Sequence, residues 1–316
     1  MDDKPLTSSR EGPDDRANRR SPHQVPGWVD LGGLEVRELI TSRFRLDGGS
    51  MYGQVPKMLW NRDGQADESN RIPLVLRSLV IRSGEKILLV DPGMGSRYSS
   101  EESARMEIDP AFATLSAILR QAGIEPGQVG DVLLSHLHFD HIGGLASHGP
   151  DGETVLELPH ARVWVSRVQW EQANAPGAKE RRSFREEDLA AIRGNGPHFL
   201  DDGVPGWPQI SLWETVGHTR GLLVTRVAGS LASVIYPTDL IPMLAHIRLA
   251  YTTGFDLWPE RLLEEKTAVL EQAARDRSWI VFAHDPRTAA ARVAPGKEGY
   301  VVAERKEALD AISLAA

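Results

Sequence analysis

The sequence predicts an α/β protein built as an αββα sandwich, two mixed sheets packed face to face with helices on the outer faces. Two observations predict it. Apolar runs of strand length are interleaved with amphipathic helical stretches, and the order strands, helix, strand occurs twice along the 316 residues. The repeat lies in the order of elements and not in the residues themselves. Residues 1–27 read as a flexible N-terminal arm and 28–316 as a single domain.

The arm holds Asp, Arg, Ser and Pro with almost nothing apolar before Val25 and Trp28, so it has too little surface to bury to offset its ordering entropy. An arm that embraces a second copy in a homodimer is the alternative reading. From Leu34 to Ile40 apolar and polar residues alternate, and Asp47-Gly48-Gly49 reads as a bend. Leu74–Ile81 and Ile87–Val90 are strand-like, and Ser83-Gly84-Glu85-Lys86 between them is a hairpin signal. Asp91-Pro92-Gly93 ends the second. Phe112, Leu115, Ile118, Leu119 and Ala122 mark a helix stopped by Gly123.

Val132-Leu133-Leu134 is a short apolar strand that runs into Ser135-His136-Leu137-His138-Phe139-Asp140-His141. A strand at Ala161–Val165 and a helix from Arg167 to Ala173 follow. Residues 174–208 are rich in charge, Gly and Pro around a helix at Glu186–Ile192. Strands are expected at Ile210–Val216, Leu222–Ala228 and Leu231–Tyr236, and a long amphipathic helix from Pro259 to Arg275. Strand Trp279–Ala283 leads into His284, and a last strand and helix finish the chain.

Composition bounds the function. Lys and Arg number 36 against 44 Asp and Glu, a net charge of −8, which lacks the basic footprint of a nucleic-acid binder. There is no cysteine, so disulfides, thiolate metal sites and a Cys nucleophile are excluded. No apolar run approaches the ~18 residues of a spanning helix, and the N-terminus lacks the apolar core of a secretory signal. The expectation is a cytoplasmic protein that engages neither membrane nor nucleic acid.

The histidines carry most of the remaining information. Of ten, three fall with Asp140 inside the six residues 136–141, directly after a buried strand. Imidazole nitrogen and carboxylate oxygen suit zinc and other divalent metals. His218, Asp239 and His284 each follow an apolar strand as well, where site residues are displayed from a rigid scaffold. Individually each is an ordinary turn residue; together they form a pattern.

The run His136-Leu137-His138-Phe139-Asp140-His141 resembles the HxHxDH signature of the metallo-β-lactamase superfamily. Val90-Asp91-Pro92-Gly93, Gly217-His218-Thr219, Thr238-Asp239 and Ala283-His284 resemble its accompanying motifs, in family order, over roughly residues 31–305. The resemblance implies the αββα sandwich with two divalent metal ions at the edge between the sheets, zinc first, with manganese, iron or cobalt as alternatives. His136, His138 and His218 would hold one ion, Asp140, His141 and His284 the other, with Asp239 bridging. For Asp91 two readings stay open, orienting a ligand or capping its own turn. Arg220 stands where the family often has Pro, and Pro237-Thr238 precede the bridging Asp where a small residue is common; neither removes a ligand.

Such a site implies hydrolysis by attack of a metal-bound hydroxide on a carbonyl, with Asp140 and Asp239 as catalytic residues and Asp140 also passing a proton to the leaving alkoxide. The absence of an export signal argues against a periplasmic β-lactamase, and the acidic charge against a nuclease. The tail after His284 is too short for the helical domain of glyoxalase II, and His138 stands where flavodiiron oxidases usually place Glu. Residues 47–57 and Asp239-Leu240-Ile241-Pro242 with His246 resemble the branch of quorum-quenching N-acyl-homoserine lactonases. The expected substrate is a small, neutral, apolar ester or lactone. An organophosphate triester hydrolase or aryl dehalogenase on the same site is the alternative, and a non-catalytic metal-binding protein the second. Tyr52 and His246 are the candidates for substrate contact. Met51, Val55, Met58, Trp60, Phe255 and Trp258 either line an apolar pocket or pack their loops onto the sandwich. His23, His148, His160 and His198 are expected to face solvent.

Overall fold

The computed structural model describes residues 26–112, 114–200 and 203–312; most of the N-terminal arm, with His23, lies outside them. The first half runs β1 (Val29–Asp30), β2 (Glu35–Asp47), α1 (Gly48–Tyr52), α2 (Lys57–Trp60), β3 (Arg71–Ser83), β4 (Lys86–Val90), α3 (Ser100–Met106), α4 (Leu115–Gln121) and β5 (Val129–Leu133). It continues through α5 (Phe139–Ile142), β6 (Ala146–His148), β7 (Thr154–Leu156), β8 (Arg162–Ser166), α6 (Arg167–Asn174), α7 (Glu186–Asn195) and β9 (His198–Leu200). The second half adds β10 (Ile210–Thr215), β11 (Leu222–Ala228), β12 (Ser233–Tyr236), α8 (Pro259–Asp276), β13 (Trp279–Val281), β14 (Ala290–Gly296) and β15 (Gly299–Lys306).

A seven-stranded sheet has the order β1-β2-β3-β4-β5-β8-β9, and a six-stranded sheet the order β10-β11-β12-β13-β14-β15. The β4–β5, β5–β8, β8–β9 and β12–β13 pairs are parallel and the others antiparallel. Period-two alternation makes the layers. Leu79, Ile81, Leu88 and Val90 of one sheet meet Val234, Tyr236, Trp279 and Val281 of the other in the central core. Their neighbours Val80, Leu89 and Val132 turn outward onto Leu115, Leu119, Leu189 and Ile192. On the far side Ile235, Ile280 and Phe282 pack against Leu262, Val269 and Leu270 of α8. The expected αββα sandwich is therefore the observed one. No helix among the described residues is long and apolar enough to cross a membrane.

Several elements differ from expectation. Asp47-Gly48-Gly49 is not a simple bend: Asp47 Oδ1 accepts from Ser50 N at 2.7 Å and caps α1. Helix α3, announced by the Ser99/Glu102 capping box, was legible but unread. The strand before His284 stops at Val281 because Ala283 pairs instead with the other sheet, accepting from Arg77 N at 2.9 Å. The chain ends not in a strand and helix but in the β14–β15 hairpin and one 3-10 turn at Leu309–Ala311, among the described residues.

Candidate metal centre

Each predicted ligand sits beyond the carboxyl end of a strand, where α/β sheets display their sites. His136, His138, Asp140 and His141 follow β5, His218 follows β10, Asp239 follows β12 and His284 follows β13. The tertiary structure brings all seven together in two groups, His136, His138, His218 and Asp239, and Asp140, His141 and His284, with candidate ligand atoms in each group within 4.8 Å of one another. Asp239 faces both. Its Oδ2 lies 3.3 Å from His218 Nε2 and 3.8 Å from His136 Nε2, and its Oδ1 lies 2.9 Å from His284 Nε2 and 3.3 Å from His141 Nε2.

The donor set fits cations. His136 Nε2 and His141 Nε2 are buried without a hydrogen-bond partner among the described residues, a costly state unless a ligand meets them. His218 Nε2 and His138 Nδ1 face each other at 3.3 Å, as two lone pairs do across a shared cation. The opposite ring nitrogens are anchored. Asp91 Oδ2 lies 2.9 Å from His141 Nδ1 and accepts from Ser135 Oγ at 2.7 Å, while Ser135 Oγ lies 3.0 Å from His136 Nδ1. Asp256 Oδ1 lies 2.8 Å from His218 Nδ1, and the Val75 carbonyl 3.0 Å from His284 Nδ1. Outer partners of this kind fix ring orientation and tautomer. Of the two readings of Asp91, the geometry thus favours orientation. Its backbone, like that of Thr238, takes a positive φ (54° and 48°), strain of about 1–3 kcal/mol that cores tolerate beside functional groups.

Electrostatics point the same way. Burial and the neighbouring His141 and His138 imidazoles hold His136 well below its ordinary value. Burial also disfavours charge on His141, yet the carboxylates of Asp239, Asp140 and Asp91 carry it well above. Asp239 is buried, which opposes its charge, but the imidazoles of His284 and His141 hold it well below the usual carboxylate range. The centre therefore keeps carboxylate charge where positive charge is at hand.

A cleft opens over both groups. Beyond His138, Asp140, His218, Asp239 and His284 it is lined by Leu46, Met51, Leu74, Phe139, Pro242 and Phe255, with Ser183 and Thr253. Tyr52 and His246 are not among these residues. Tyr52 is buried, stacked on Trp60 at 5.1 Å and on His246 at 5.4 Å, and its hydroxyl accepts from Gln65 Nε2 at 3.3 Å. His246 donates from Nε2 to the Met51 carbonyl at 2.9 Å and is pushed down to about 4 by burial and the Lys266 cation. Both expected substrate contacts lie instead in a packed platform beneath the loop, Tyr52 at 5% and His246 at 1% exposed, with the imidazole tied to the loop by its hydrogen bond to Met51. Val55 and Trp60 join that core, Met58 and Trp258 are exposed, and His148, His160 and His198 face solvent. Asp256, Ser135 and Glu180 carried no assigned role in the sequence; no local pattern marks a residue that acts on a partner distant in the chain.

Two face-to-face sheets with paired His/Asp groups at one edge define the class, an α/β protein with a candidate metal centre. The chain belongs to the metallo-beta-lactamase superfamily, whose family model matches residues 73–284. It is 26% identical over 185 residues (56% of this chain, 51% of the relative) to a probable metallo-hydrolase, Rv2300c, of Mycobacterium tuberculosis. It is 25% identical over 225 residues (66% and 72%) to the acyl-coenzyme A thioesterase MBLAC2 of Bos taurus. The chain thus spans about half the length of the mycobacterial relative. Among solved structures, a probable metal-dependent hydrolase from Staphylococcus aureus superposes with a TM-score of 0.79 at 23% identity, covering 88% of this chain and 98% of that one. AidC, a dizinc quorum-quenching lactonase in complex with a product, gives 0.72 at 20%, covering 89% and 98%. At these identities the superpositions establish the fold alone.

Proposed function

We propose that this protein opens lactones of the N-acyl-homoserine lactone type and cleaves similar neutral esters. His136, His138 and His218 would hold one divalent ion and Asp140, His141 and His284 a second, with Asp239, which faces both groups, as a ligand available to either; zinc is the ion assigned first. The observation that carries the reading is the cleft. Its lining is apolar apart from Ser183, Thr253 and the ligand set, and among the described residues contains no Lys or Arg, so it suits an uncharged substrate with an apolar body. The likeness to a dizinc lactonase supports the same direction.

Two divalent ions in these positions supply a water acidified towards neutral pH and positive charge for a developing oxyanion. The chain's own residues do the rest. Asp91, Ser135, Asp256 and the Val75 carbonyl hold the imidazoles in register. Asp140 lines the cleft, with Oδ2 3.7 Å from both His141 Nε2 and His284 Nε2. From there it would take the proton released by the attacking water and pass it to the departing alkoxide. Met51, Phe139 and Phe255 exclude water around the acyl group.

The bovine relative makes a thioester the second reading, although no cation in the cleft lining would meet the phosphates of coenzyme A. The test is proton release at constant pH from zinc-loaded protein. The panel holds N-acyl-homoserine lactones, simple lactones, thioesters, phosphotriesters and chlorinated aromatics, with Asp239→Ala as control. Lactone turnover lost in the control is the expected result. Turnover confined to thioesters or phosphotriesters would discard the lactonase reading, and inertness towards every class would favour a non-catalytic metal-binding protein.

A further inference from the structure

We propose that Glu180, outside every motif of the family, is a positioning residue that fixes the tautomer of His138. It rests on the assignment of His138 as a ligand made above. Glu180 lies in the connection between α6 and α7 and is 3% exposed. Both carboxylate oxygens are held, Oε1 by Gln172 Nε2 and Oε2 by Thr219 Oγ1 at 2.8 Å. Thr219 directly follows His218, so the carboxylate is tied to the chain that carries another ligand of the same group.

The need for it is visible on His138. Its Nδ1 faces His218 Nε2 at 3.3 Å, on the side of the first ligand group, while its Nε2 is buried and has no hydrogen-bond partner among the described residues. Glu180 Oε2 lies 3.9 Å from that Nε2. The four other ligand histidines have their outer nitrogen within 3.0 Å of a hydroxyl, carboxylate or carbonyl oxygen; among the described residues His138 has only this carboxylate in the corresponding place. A neutral imidazole can present a lone pair at Nδ1 only when Nε2 carries the proton. A fixed carboxylate beside Nε2 favours that proton and aims Nδ1 at the group. The Phe184 ring, 5.1 Å from the imidazole, limits its rotation. The same connection is fastened across the site by Lys179 Nζ, which donates to the Asp256 carbonyl. It thereby braces the residue that anchors His218.

The experiment compares wild type, Glu180→Gln and Glu180→Ala by two readouts. Long-range ¹⁵N–¹H correlation reports the tautomer of each ring, with His138→Ala providing the assignment. Zinc competition against a chromophoric chelator reports the affinity of each group. Wild type should show His138 protonated at Nε2. Glu180→Ala should lose that preference and weaken one zinc site by about 10–100-fold, leaving the second unchanged. Glu180→Gln, which keeps the shape and one acceptor oxygen, should fall between, and it carries the comparison if the Ala variant does not fold. An unaltered His138 tautomer with both zinc affinities unchanged in the Glu180 variants would overturn the proposal. Full zinc binding by His138→Ala would instead overturn the ligand assignment, and the proposal with it.

Discussion

Asp256 Oδ1 lies 2.8 Å from His218 Nδ1, joining residues 38 positions apart in the chain. The carboxylate is itself fixed, accepting from Thr253 N at 2.7 Å and from Thr253 Oγ1 at 2.9 Å. A buried carboxylate in the connection before α8 therefore sets the orientation of an imidazole at the centre.

Asp256→Ala is expected to weaken metal binding at the group containing His218 by about 10–100-fold, since outer partners contribute that much to affinity. Chelator competition on the purified protein checks it. Affinity within threefold of wild type would show that the imidazole holds its place without the carboxylate.

Tyr52 supports the loop from below, so its hydroxyl should be dispensable and its ring should not. Tyr52→Phe is expected to leave KM and kcat within about twofold of wild type. Tyr52→Ala should cost about 3–5 kcal/mol by urea unfolding, as other large-to-small core changes do. A tenfold rise in KM for the Phe variant would restore Tyr52 to the list of substrate contacts.

Lys266 is buried on α8 and donates to the carbonyls of Arg248, Leu249 and Tyr251 at 3.0, 3.3 and 2.7 Å. Burial pushes it down to about 7 from an ordinary 10.5, with the Asp256 carboxylate opposing. Between these values the unfolded chain binds a proton that the folded chain has lost, so this residue makes stability rise with pH from about 7 to about 10. Lys266→Met should flatten that slope in urea unfolding at stepped pH. It should also lower stability at all pH values, because three buried carbonyls lose their donor. A slope identical to wild type would show that the ammonium stays charged in the fold.

Arg77 pairs with Glu38 between the sheets and donates to the carbonyls of Phe282 and Asp285, on either side of His284. Both side chains are about 4% exposed. Arg77→Met leaves Glu38 buried without its cation and should cost about 3–5 kcal/mol. Adding Glu38→Gln should recover part of that loss, which thermal unfolding of the single and double variants measures. Equal stability of Arg77→Met and wild type would remove the pair from any role in joining the sheets.

The strands and most of the helices were legible because their signals are local. The alternation at the start of β2, the apolar runs of β3 and β4, the Gly84-Glu85 turn and the 3–4 spacing of α8 each lie within a few residues. Where a last helix was expected the chain forms β15, because the pattern after residue 290 suits a strand pair as well as a helix and the pairing of β14 with β13 decides it.

The sequence alone determined the chemistry available at the centre. Four ligand-type residues in the six positions 136–141, with His218, Asp239 and His284 at strand ends, needed only adjacency or a preceding apolar run to be seen. Only the tertiary structure decided which side chains serve those candidate ligands. It turned Asp91 towards His141, carried Asp256 to His218 and Glu180 to His138, and withdrew Tyr52 and His246 into a stacked core. The reason is geometric: a hydrogen-bond partner is chosen by distance and direction once the sheets are packed. Residues separated by 38 to 50 positions leave no periodic trace of that choice in the chain.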